Sequence, residues 1–116
     1  MARILSVSYD ESLLRTRQLM LERHGCEVVS AHGYTPALDH CNSGTVFHLF
    51  ILGHSIPHED KQSLVASFRA HCSAPIIALK VDDEEPVIGA DFLIEPEPVE
   101  LLALVAKVVA REAMRA

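Results

Sequence analysis

Five short apolar runs, separated by segments of helical period or by polar loops, set the limits on how this chain can fold. "RILSVS", "CEVVSA", "LFIL", "APIIAL" and "ADFLI" read as strands. Between the first two, "ESLLRTRQLMLERHG" carries Leu13, Leu14, Met20 and Leu21 a heptad apart, and Gly25 supplies a left-handed stop. Thr35-Pro36 reads as an N-cap with proline at the first helical position, opening a helix to about Cys41. "EDKQSLVASFRAHC" has helical period with Leu64, Val65 and Phe68 inward, and Val99 to about Arg115 forms a strongly apolar helix. "LFIL" is apolar throughout, as a strand covered on both faces must be. This alternation predicts an α/β protein: a parallel sheet with right-handed crossovers and helices on both faces.

The 116 residues suffice for one domain, 1–116, with a core that needs no metal or disulfide staple. Apolar residues make up 49%, yet no stretch approaches the roughly 20 needed to span a bilayer. "MARILSVSYDE" turns charged too soon for a signal peptide, so a cytoplasmic protein is expected, with no membrane association. The three cysteines, Cys26, Cys41 and Cys72, are widely spaced and odd in number, which suits reduced thiols packed as small hydrophobes. A formal net charge of -6 argues against nucleic acid as a partner, since phosphate neutralisation needs a basic face.

Sites in such sheets form beyond the carboxyl ends of the strands. The residues to read are therefore Ser8-Tyr9-Asp10, Gly53-His54, Lys80 and Glu95. Among seven histidines, His54 and His58 are four apart, but Pro57 breaks the helix that would align them. No Cys-x-x-Cys or His-Glu-x-x-His spacing exists, so neither a metal nor another cofactor is expected. His54 beside Ser55 is a weak signal for nucleophilic catalysis, because neighbours on a turn point apart and no orienting acid follows.

"RILSVSYDESLLRTRQLMLERHGCEVVSA", "FHLFILGHSIP", "APIIALK" and "GADFLIEP" together resemble the receiver domains of two-component response regulators, over nearly the whole chain. The resemblance implies a flavodoxin-like, doubly wound, five-stranded parallel sheet of order 2-1-3-4-5. It also implies a site: an acidic pair after strand one holding Mg²⁺, a phosphoryl-accepting aspartate ending strand three, a hydroxyl ending strand four and a lysine ending strand five. Carried over, the pair falls on Ser8 and Tyr9, the acceptor on Gly53, the hydroxyl on Lys80 and the lysine on Glu95, with only the neighbouring Asp10 retained. Mg²⁺ needs hard oxygen ligands and acyl phosphate formation needs a carboxylate nucleophile, so the site reads as emptied.

Lys80 and Glu95, on strands made neighbours by that order, are expected to form an ion pair closing the vacant pocket. The Glu95-Pro96 peptide is expected to be cis, as the resemblance implies. Between Lys80 and Glu95 the chain is shorter than the resemblance implies by roughly two helical turns, so the fourth helix should be a stub or a loop, with Asp82 to Glu85 in water. On the last helix, Ala103, Leu104 and Ala110 form an apolar streak among Glu100, Lys107 and Arg111, a candidate interface for a second copy or a partner. The expected function is a non-enzymatic, phosphorylation-independent pseudo-receiver acting by protein-protein contact with a kinase, another regulator or itself. The alternatives are an active receiver using Asp10 or His54 as acceptor, and a small-ligand or metal-binding flavodoxin-like domain.

Overall fold

The computed structural model describes residues 2–114. The elements follow the order β1 (Arg3–Ser8), α1 (Glu11–Arg23), β2 (Glu27–His32), α2 (Tyr34–Cys41), β3 (Leu49–Leu52), α3 (His58–His71), β4 (Ile76–Leu79), β5 (Phe92–Ile94) and α4 (Pro98–Met114). All strand pairs are parallel, in the order β2-β1-β3-β4-β5. The expected end of the last helix at Arg115 lies outside the described residues.

Two apolar layers sandwich the sheet, and the pleat of β3 feeds both. Phe50 and Leu52 join Ala37, Leu64, Val65 and Phe68 on the α2–α3 side. Leu49 and Ile51 join Leu21, Leu101, Val105 and Val108 on the α1–α4 side. Phe50 stacks on Phe68 with ring centroids 4.3 Å apart, fixing α3 over the middle of the sheet. A strand with both faces buried has no polar position to offer, hence its unbroken apolar sequence.

The helix ends follow local chemistry. Asp10 caps α1, its carboxylate accepting from the Leu13 N–H at 3.1 Å, and Gly25 leaves the helix at φ +84°. At α2 the structure departs from the sequence reading. The cap is Gly33, at φ +111° and without a side-chain bond, so Thr35 and Pro36 lie inside the first turn. Proline is tolerated there because the first turn's N–H groups lack helical acceptors in any case.

Residues 80–91 contain no helix, as the short spacing predicts. What holds this segment is α3. The Lys61 ammonium, fully buried, donates to the Leu79 carbonyl at 2.7 Å and to both Glu84 oxygens at 2.6 and 2.8 Å. Gln62 exchanges amide bonds with the backbone of Ile88, and Arg69 pairs with Asp91 and the Gly89 carbonyl. Val87 is buried in the core beneath them. The expectation that Asp82 to Glu85 all face water thus fails at Glu84, whose side chain is only 11% exposed because Lys61 needs an anion.

This pair generates a stability prediction. Glu84→Gln leaves the ammonium buried without its counter-charge and should cost about 3 kcal/mol or more. Lys61→Met together with Glu84→Gln should cost less than Glu84→Gln alone. Urea unfolding of the three variants measures both quantities, and a double variant as unstable as the sum of the singles would contradict the pairing.

Candidate functional site

Beyond the carboxyl ends of the strands, hydroxyls and helix-borne cations occupy the places where the resemblance implies carboxylates. Ser8 is fully buried, its Oγ 3.0 Å from the Ser55 Oγ and accepting from the Asp10 N–H at 3.0 Å. Ser55 in turn accepts from the Tyr9 N–H at 3.1 Å. Tyr9 points away from this knot and donates its phenol to Asp60 at 2.7 Å; burial and the Asp60 carboxylate push that hydroxyl above its ordinary pKa. Asp10 is committed to the cap of α1.

Gly53 ends β3 under the side chain of Arg17. A Cβ on Gly53 would sit 3.0 Å from Arg17 Nη1, 3.1 Å from the Val7 carbonyl oxygen and 3.4 Å from Ser8 Cβ. The space where an acceptor side chain would begin is thus taken by a guanidinium reaching down from α1. Arg17 is 7% exposed, and burial lowers its pKa against the opposing pull of Asp10. Sequence reasoning missed it, although the signal was present: Arg17 falls three residues after Leu14 and four before Leu21, on the core-facing stripe of α1. A cation in that position has to be lodged somewhere, and a strand end without a side chain gives it room.

His54 follows Gly53 and is half-buried, with Nδ1 sealed from solvent and unpartnered. Burial lowers its pKa, the charges of Arg17 and Lys61 lower it further, and Asp10 and Glu84 oppose them. The site is therefore a cluster in which α1 contributes Arg17, α3 contributes Lys61, and the loop after β4 contributes Glu84.

Two expectations are corrected here. Lys80 does not pair with Glu95: its ammonium donates to the carbonyls of Val81 and Glu84 at 3.3 and 3.1 Å. The shortened loop instead brings Asp82 against the exposed Glu95, and their shared hydrogen bond raises the Glu95 pKa. The Glu95-Pro96 peptide is not cis, since no cis bond occurs among the described residues. The Lys80 N–H holds the Ile94 carbonyl and the Glu97 N–H returns to the Glu95 carbonyl at 2.7 Å. That tight turn leads the chain into α4 with the ordinary, lower-energy trans isomer.

On α4, Ala103, Lys107, Ala110 and Arg111 are exposed, while Leu104 is half-buried and packs against the α1–α4 core. The streak thus reduces to two alanines among charges. Among the described residues no group of three His, Cys, Asp or Glu side chains is placed to hold a metal ion, and no helix is long and apolar enough to cross a membrane.

Solved structures share this fold over nearly the whole chain. A two-component response regulator from Clostridium difficile superposes with a TM-score of 0.80 at 21% identity, covering 96% of this chain and 97% of its own. The receiver domain of Francisella response regulator 1452 gives 0.80 at 19%, covering 96% and 98%. The response regulator TrrA from Thermotoga maritima, solved with Mg²⁺ and BeF, gives 0.76 at 24%, covering 93% and 99%. The fold is that of a receiver domain. No family model matches the sequence, and no curated protein matches it either. The receiver fold is thus carried by packing and topology at low sequence identity, with the strand order 2-1-3-4-5 intact and one helix fewer than five.

Two measurements test the geometry of this site. Gly53→Ala forces the new Cβ against Arg17 Nη1 and the Val7 carbonyl and should cost about 1–3 kcal/mol. In an Arg17→Met background, where only the carbonyl contact remains, the same substitution should cost less in urea unfolding. The His54 prediction concerns pH. A folded pKa below the ordinary 6.5 means that the unfolded chain takes the proton first, so this contribution to stability is complete above about 6.5 and is lost as pH falls. The ring should titrate below 6.5 in NMR, and Arg17→Met should move its midpoint upward; an unchanged midpoint would separate the two residues electrostatically.

Proposed function

We propose that this chain is a phosphorylation-independent pseudo-receiver, a non-enzymatic module of two-component-type signalling that acts by protein-protein contact. The observation that carries this reading is the Arg17 guanidinium over Gly53. Phosphoryl transfer to a receiver-type position needs a carboxylate nucleophile at the end of β3 and anionic oxygens to hold Mg²⁺. Gly53 offers no nucleophile, Ser8 and Tyr9 offer no anion, and a buried cation stands where a divalent ion would have to enter. Asp10, the one acid kept beside the site, serves as a helix cap. An acceptor role for His54 has less support, since its Nδ1 is sealed from solvent.

The partner is expected to be a signalling kinase, a regulator or a second copy, in a cytoplasmic setting. The exposed face of α4 around Ala103, Lys107, Ala110 and Arg111 remains the surface proposed for that contact, with Leu104 serving the core beneath it.

Incubating the protein with acetyl phosphate or beryllofluoride and Mg²⁺ tests the reading. The expected outcome is no phosphoryl mass shift and no Mg²⁺-dependent movement of the amide signals around Gly53. A stoichiometric, Mg²⁺-dependent adduct on any residue would overturn it.

A further inference from the structure

Arg17 is the least compensated group in the described structure. It is nine-tenths buried, yet among the described residues none of its guanidinium nitrogens makes a hydrogen bond or ion pair, and Nη1 is sealed without a partner. Asp10 is the carboxylate that most favours its charge, but Asp10 already accepts from the Leu13 N–H. Lys61, the other buried cation, shows the usual remedy, a carboxylate bound through both oxygens. Arg17 has the same need and no such partner.

Arg17 and His54 border one cleft of about 90 Å³, between α1 and the start of α4. Much of the remaining wall is apolar, including Leu13, Met20, Leu79 and Leu101. An unpaired guanidinium on a largely apolar cleft is complementary to a ligand with an acidic head and a short hydrocarbon tail. We propose that this cleft binds a small monocarboxylate, its carboxylate meeting Arg17 and its tail lying on Leu13, Met20 and Leu101.

Charge selects the monoanion. Arg17 is the one Lys or Arg on the cleft, and the Glu97 carboxylate on the same wall opposes a second negative charge on the ligand. Size selects a short tail, because the cleft is smaller than the roughly 150 Å³ that holds a benzene ring. The cleft is walled by α1, the ends of β3 and β4 and the start of α4, and ligand binding there does not depend on the signalling role proposed above; a failure to bind would leave that role standing.

The test uses the ¹⁵N-labelled full chain in low-chloride buffer near pH 7.5, titrated separately with sodium isobutyrate, its neutral isostere isobutyramide, and inorganic phosphate. Isobutyrate should move the Gly53 and His54 amides and the Arg17 Nε–H signal along one saturable curve. Isobutyramide and phosphate should bind at least about tenfold more weakly, and Arg17→Gln should weaken isobutyrate by a similar factor, the range expected for losing a charge-assisted bond. Equal binding of acid and amide, tighter binding of phosphate, or non-saturating shifts spread over the surface would each overturn the proposal. The comparison of acid with amide needs no variant, so it decides even if Arg17→Gln does not fold.

Discussion

The burial of β3 on both faces is the constraint from which the rest of the molecule follows. Four successive residues, Leu49 to Leu52, are fully buried, alternately supplying the α1–α4 and α2–α3 layers. Such a strand sits inside the sheet rather than at its edge, and this one is central, so its end opens at the middle of the carboxyl edge, flanked by β1 and β4. Whatever residue follows Leu52 is therefore surrounded by both layers and both neighbouring strands. Gly53 occupies that point, with the Val7 carbonyl and the Ser8 side chain already within contact distance of any Cβ. Arg17 completes the enclosure from α1.

The charges around that point come from helices and a loop rather than from strand ends. Lys61 crosses from α3 to the Leu79 carbonyl and thereby draws Glu84, and the loop carrying it, onto the site. The loss of a helix between β4 and β5 and the presence of a buried ion pair are thus linked: a twelve-residue connection without its own helical hydrogen bonds needs external ones, and α3 supplies them through Lys61, Gln62 and Arg69. Glu84 is held bidentately while its own carbonyl accepts from Lys80. This is why Lys80 has no reason to reach for Glu95.

What was legible in the sequence was what periodicity encodes. The short runs "LFIL" and "IIAL", bounded by loops, read as buried strands, and the helical period of α1 and α3 fixed which faces turn inward. The missing helix was legible as a missing length of chain. Two polar residues on core-facing helical stripes, Arg17 and Lys61, were read past because a helix-period reading counts apolar positions and treats intervening charges as solvent-facing. Their burial depends on what lies opposite, a bare glycine for one and a loop glutamate thirteen residues beyond the end of α3 for the other, and such pairings join segments too far apart in sequence for any local pattern to show. The Lys80–Glu95 expectation failed for a related reason. Adjacency of strands fixes where two Cα atoms sit, whereas a lysine side chain is free to choose among several acceptors, and the nearest here are backbone carbonyls.

The sign of the charge at the carboxyl ends of the strands follows from these two buried cations taken together. In the arrangement implied by the resemblance, carboxylates gather at the strand ends and a divalent metal with a lysine neutralises them. Here the strand ends contribute hydroxyls, a glycine and an imidazole whose charged form is disfavoured. Arg17 and Lys61 bring two positive charges, of which Glu84 matches one. The interior therefore carries a residual positive charge, although the chain as a whole has a net charge of -6. A cation entering this pocket meets repulsion where its ligands should be, and an anion meets an unpaired guanidinium. Placing an aspartate at Gly53 alone would not build a metal site: its side chain would begin 3.0 Å from Arg17 Nη1, which favours pairing of the carboxylate with the guanidinium, and neither Ser8 nor Tyr9 adds a carboxylate ligand.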